Sequence, residues 1–234
     1  MGEGTRAIGT GRGQGSGVGA GVGASDGIRW LAGLRGELDG VLFARGIAPH
    51  ELARRMGADP AAGTEPISGT EVWDLDIESY RPGDDGDGVV RVGECGGWSF
   101  AIEYGDSTGG ERLTEIAAGG VEVVHFRPMP EHPPALLDYA RDGAVLCGFG
   151  LGEERWRWGR EPDLLLPELV AAEVLAPGGT APADRGGPEE GYAAVRERTL
   201  GVVERRFGLG LPRAALGELR LPAYAVRGTP GMSR

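Results

Sequence analysis

Glu103, His125, Asp138 and Cys147 are the side chains of this chain best suited to acid–base or nucleophilic work. A Cys–His pair requires a thiol whose proton a nearby base can draw off. Cys147 and His125 both fall on predicted strands, so they meet only if those strands are neighbours and both side chains face the same way. Cys147 sits between Val145 and Phe149, where a small apolar packing residue is expected. Glu103 and Asp138 form a conceivable carboxylate pair for a small hydrolase-like enzyme. A buried ion pair of Asp138 with Arg127 is the preferred reading of that carboxylate. A metal centre would have to use His125 and His132 with Glu122 or Glu131. Glu122 and His125 point to opposite faces of one strand, and the spacing fits no common zinc pattern. Asp84, Asp85 and Asp87 resemble the start of a calcium loop, but Gly96 stands where its closing glutamate belongs. Gly19, Gly21 and Ala24 match a dinucleotide pattern, yet no apolar strand precedes them. No catalytic, metal or cofactor-binding residue is therefore assigned, and no cofactor is expected.

One cluster points elsewhere. Glu153-Glu-Arg-Trp-Arg-Trp-Gly-Arg160 interleaves aromatics with cations, and Arg155, Trp156, Arg157 and Trp158 are the candidate partner-binding residues. Extended, the segment sets both tryptophans on one side and both arginines on the other. Tryptophan and arginine are enriched where protein interfaces concentrate their energy. Stacking on bases is the competing use, and the overall charge weighs against it. The net charge is −11 across 234 residues, whereas a general nucleic-acid binder needs excess cations to displace counterions. All 24 cations are arginine, in keeping with GC-rich coding. Two cysteines are too few for a disulfide scaffold, and no apolar run approaches a membrane span. A cytoplasmic protein is expected, with a protein partner possible and neither nucleic acid nor membrane.

The elements that must hold these residues are well signposted. Residues 1–27 alternate glycine with small residues and read as a flexible tail. Ser25–Asp26 can cap a short helix carrying Trp30, Leu31 and Leu34. Val41 to Ala44 reads as a strand, followed by a helix with Pro49 at its start and Gly57 past its end. Residues 58–88 are loop-like, with Trp73, Leu75 and Ile77 alternating as in an edge strand. Gly96–Gly97 joins two strands that pair Phe100 with Gly93 and Trp98 with Cys95. Thr108 and Glu111 form a capping box for a helix through Leu113, Ile116 and Ala117. Val121–Phe126 is apolar on both faces, which places it centrally. Asp142–Gly143 turns a second hairpin, and a two-residue turn sets Asp138 opposite Cys147. A helix is expected over 163–175, a linker over 176–188 and a long helix to Phe207. A short helix at 213–219 and a strand at 223–226 close the chain.

Trp30–Leu31, the run Phe43-Ala-Arg-Gly-Ile-Ala-Pro-His-Glu-Leu-Ala-Arg-Arg-Met-Gly57, the pair Gly97–Trp98 and the stretch Val195 to Leu209 occur in an order that resembles a family of actinobacterial proteins of unknown function. The resemblance covers roughly residues 28–149 and 190–227 and implies no activity. The fold expected is α+β: a five- to six-stranded antiparallel or mixed sheet, helices mainly on one face and a C-terminal helical extension. The expected divisions are a tail over 1–27, a core domain over 28–150, the extension over 151–227 and a tail over 228–234. The leading functional expectation is a non-enzymatic protein-interaction module; the alternative is the small enzyme using Glu103, His125, Asp138 or Cys147.

Overall fold

The computed structural model describes residues 25–34, 36–59, 64–74, 87–105, 108–183 and 191–227. The glycine-rich segment before Ser25, the dinucleotide-like pattern, Asp84 and Asp85, Leu75 and Ile77, and residues 228–234 lie outside them. Eight strands form one sheet: β1 (Gly40–Arg45), β2 (Thr64–Ile67), β3 (Asp87–Cys95), β4 (Trp98–Gly105), β5 (Glu122–Arg127), β6 (Leu136–Arg141), β7 (Ala144–Gly150) and β8 (Leu221–Arg227). Their spatial order is β2-β8-β3-β4-β1-β5-β6-β7, and all neighbours run antiparallel. Expectation is thus corrected from five or six strands to eight. β2, whose Pro66 masks strand character in a sequence pattern, was not expected, and the strand expected at 223–226 is β8, which joins this same sheet beside β3.

Helices lie on both faces, not mainly on one. Along β1, Val41 and Phe43 join one apolar cluster while Leu42 and Ala44 join the other. A strand buried on both sides must be covered on both sides. The first face packs against α6 (Tyr192–Phe207) and a 3-10 turn (Arg29–Gly33); the second packs against α1 (Pro49–Arg55) and α4 (Leu113–Ile116). The 3-10 turn replaces the expected first helix. Glu204 of α6, not Ser25 or Asp26, accepts the Ile28 N–H at 2.7 Å. In α1 the Arg54 and Arg55 side chains bond Glu51 and hold its carboxyl down at about 2.

α6 docks through specific polar contacts as well as apolar ones. The Trp98 indole N–H donates to the Phe207 carbonyl at 3.1 Å, and Thr199 Oγ1 donates to the buried Glu154 carboxyl at 2.6 Å. Burial pushes that carboxyl's pKa up. Gly208, at φ 69°, ends the helix in the left-handed conformation glycine favours. A further helix, α2 (Gly69–Asp74), corrects the expected strand around Trp73, whose exposed ring meets Tyr104 edge-on. The expected helix after Thr108 is divided at Arg112 into α3 (Thr108–Glu111) and α4. α5 (Leu166–Ala171) carries Pro167 in its first turn, and the expected short helix at 213–219 is a 3-10 turn over Arg213–Ala215.

Candidate functional site

The second face of the sheet carries a polar centre at the end covered by α3. Glu103 leans from β4 across β1 to reach β5. Its Oε2 accepts from His125 Nε2 at 2.7 Å, and its Oε1 accepts the Gly109 N–H at 2.8 Å. Both side chains are buried, at 1% and 0% exposure. The lean is possible because Glu103 pairs with Gly40 on β1: a Cβ there would fall nearer than 3.0 Å to the Glu103 carboxylate. With the carboxylate accepting, Nε2 carries a proton.

Beside this pair, Arg127 Nη2 donates to Asp138 Oδ2 at 2.9 Å, as its sequence position suggested. Trp158 Nε1 donates to the other oxygen, Oδ1, at 2.9 Å, so both carboxylate oxygens are engaged. A bulge makes this arrangement. The β6–β7 register shifts between Tyr139 and Ala140, so Asp138 pairs with Gly148, not Cys147. Gly148 leaves room for the indole, since a Cβ there would collide with both Trp158 and Asp138.

The same bulge removes the thiol. One extra residue turns Cys147 to the opposite face, where it joins the first apolar cluster and donates to the Pro162 carbonyl at 3.4 Å. Burial pushes its pKa up to about 11. Of the four candidate reactive residues, Glu103, His125 and Asp138 are therefore brought together and Cys147 is separated from them. Glu122 lies on the face opposite His125 and is taken up by Arg45, Arg141 and the Tyr139 hydroxyl. Glu131 and His132 are exposed, and among the described residues no three His, Cys, Asp or Glu side chains gather for a metal.

The Trp–Arg cluster splits by role. Arg157 is almost buried and clamps the chain, donating to the Glu154 and Gly179 carbonyls and to Asp163. Trp158 is spent partly on Asp138, and its backbone exchanges two 3.0 Å hydrogen bonds with Gly148, covering the outer edge of β7. Trp156 projects at 65% exposure, with the Arg155 guanidinium 5.4 Å from its ring centre. Sequence reasoning missed Gly40, Gly109, Gly110 and Gly148, whose missing side chains make space for the polar centre. The adjacent glycines at 109 and 110, inside a capped helical stretch, were the available signal.

Residues 40–202 match the model of a family of unknown function. The chain belongs to that family, DUF6461. The DUF6461 match begins at β1, takes in the polar centre and Trp156, and stops within α6, leaving β8 outside. No curated protein and no solved structure matches the chain. Among the described residues, no helix is long and apolar enough to cross a membrane.

Proposed function

We propose that this protein is a non-enzymatic interaction module of an actinobacterial cytoplasm, docking a protein partner through the surface built on Arg155 and Trp156. The observation that carries the reading is Trp156 itself. A large aromatic held 65% exposed gains little from its own fold. Beneath it, Arg157 and Trp158 tie the segment to Gly179, Asp163 and Asp138, so the anchor stands on an ordered base. Such an arrangement loses little conformational entropy on binding. With a net charge of −11, the molecule favours partners that present a basic surface.

The test is recovery of partners from the native host with the tagged full chain, beside a Trp156→Ala variant. The expected result is a specific partner captured by the parent and lost by the variant, with unchanged thermal unfolding. Recovery of no specific partner, or equal recovery by both, refutes the role given to Trp156.

A further inference from the structure

Glu103, Asp138 and Glu154 are the buried acidic residues among those described. Two of them meet a basic side chain: Glu103 the His125 imidazole and Asp138 the Arg127 guanidinium. Glu154 differs. It is 3% exposed and makes no ion pair among the described residues. Its Oε1 accepts from the Gly152 N–H at 2.8 Å and from Thr199 Oγ1 on α6 at 2.6 Å. Two neutral donors on one oxygen leave the other oxygen for a proton.

The charged groups around this carboxyl are accounted for. On its own turn, Glu153 is exposed and of like sign, and Arg157 Nη1 donates to the Glu154 carbonyl at 2.8 Å, not to the carboxyl. The rest of the Arg157 guanidinium goes to Gly179 and Asp163. On α6, Arg196 stands three residues before Thr199, on the same side of the helix. Glu131 and His132, on the loop that Leu151 bonds at the Ala135 carbonyl, are exposed. The segment 174–183, gripped by Arg157 at Gly179, carries no charge. A carboxylate at this position is thus buried without an opposite charge against it, which is costly. Burial is the largest influence on Glu154 and pushes its pKa up, against the downward pull of the Gly152 and Thr199 hydrogen bonds.

The turn that Glu154 closes is the one that carries the docking surface. Arg155 and Trp156 follow it directly, and the Trp156 N–H donates to the Glu153 carbonyl at 2.8 Å. The carboxyl therefore fastens the base of Trp156 to α6. We propose that Glu154 is a proton-dependent latch: with its proton it pins the turn below Trp156 to α6, and on losing the proton it releases that turn. Released, the carboxyl ionises near its ordinary 4.5; closed, it holds its proton to higher pH. The latch is complete at low pH and weakens as pH rises through the raised value. A freed turn must be ordered again on docking, so partner affinity falls over the same range. That last step rests on the reading of Trp156 as the anchor; the latch does not.

The test follows the Glu154 side-chain carboxyl resonance and backbone amide exchange of the full-length protein from about pH 4 to about pH 8. The resonance should titrate above 4.5. Protection factors at Gly152 and Trp156 should fall over the same range by about tenfold for each unit of that rise. Glu154→Gln, uncharged at every pH, should keep both protection factors level. Thr199→Val should lower both at low pH by about fivefold, as for loss of one neutral hydrogen bond. A carboxyl that titrates at or below 4.5, protection that stays level in the parent, or an equal fall in Glu154→Gln overturns the latch. These measurements need no partner, so they fail separately from the docking reading. Affinity for the partner captured through Trp156 should fall with rising pH for the parent and stay level for Glu154→Gln; affinity independent of pH in both overturns the control of docking.

Discussion

Replacing Gly40 by alanine isolates the energetic centre of the second face. Gly40 is buried on β1 and its backbone lies outside the left-handed region, so alanine meets no conformational penalty. The added methyl collides with the Glu103 carboxylate and touches His125 Nε2 at 3.0 Å. The carboxylate must swing away and surrender its hydrogen bonds to His125 and Gly109, at 2.7 and 2.8 Å. Each hydrogen bond to a charged group is worth about 1.5–3 kcal/mol, so the two together come to about 3–6 kcal/mol. Alanine returns roughly 0.5–1 kcal/mol of strand stability, leaving a net loss of about 2–5 kcal/mol. In a chain of this size that lowers the melting temperature by roughly 5–20 °C. Urea unfolding of parent and variant measures it, with equal slopes required for the comparison. A second pair, made in a Glu103→Ala background, tests the cause, because there the methyl has no carboxylate to strike and should cost close to nothing. A loss below about 1 kcal/mol in the parent background, or an equal loss in both backgrounds, refutes the collision argument.

Two further perturbations follow from the bulge between β6 and β7. Cys147, with its pKa raised from 9.0 to about 11, should alkylate roughly a hundredfold more slowly in the native protein than in denaturant at pH 8, as read by peptide mass mapping. The unfolded chain sheds this proton first as pH rises from 9.0 towards 11, so stability should fall across that window by an amount approaching about 2–3 kcal/mol; a flat pH profile for the difference between parent and Cys147→Ala contradicts it. Trp158→Phe keeps the ring but strips Asp138 Oδ1 of its donor, and should cost about 1–3 kcal/mol. Trp156→Phe, at an exposed position, should stay within about 0.5 kcal/mol, and similar losses for the two would show that the indole–carboxylate bond contributes nothing.

Much of the central sheet was legible because its signals are local. Gly96 and Gly97 take φ of 60° and 78°, the turn that a two-residue hairpin needs, and the register predicted from it, Phe100 against Gly93, is the one observed. The doubly apolar run before Arg127 placed β5 in the interior, between β1 and β6. What was not legible is non-local. β8 pairs with β3 across most of the chain length, and nothing near Leu221 announces that partner. Trp73 alternates with apolar neighbours as in a strand yet lies in α2, a segment too short for helical periodicity to show. The bulge is the costliest miss. Val145, Leu146, Cys147 and Phe149 are all apolar, so no polar residue marks where the alternation slips, and a slip of one residue exchanges Cys147 for Gly148 beside Asp138.

Buried charge is held on both faces of the sheet, by neutral oxygens on the first and by opposite partners on the second. On the first face Arg91 is buried completely, without a carboxylate among its hydrogen-bond partners. It donates to the Ile67, Ala215 and Leu219 carbonyls and to the Tyr104 hydroxyl, so the guanidinium ties β2 and the approach to β8 onto β3. Every nitrogen it carries is used, as expected of a charge retained for architecture. On the second face the carboxylates are matched as fully: Glu103 by His125 and Gly109, Asp138 by Arg127 and Trp158. Arg112 Nε, His125 Nδ1 and Arg127 Nε are buried there with no partner among the described residues, and the Arg127 guanidinium and the His125 ring close over Gly110, where a Cβ would meet Arg127 Nη1 at 3.3 Å and His125 Cε1 at 3.6 Å.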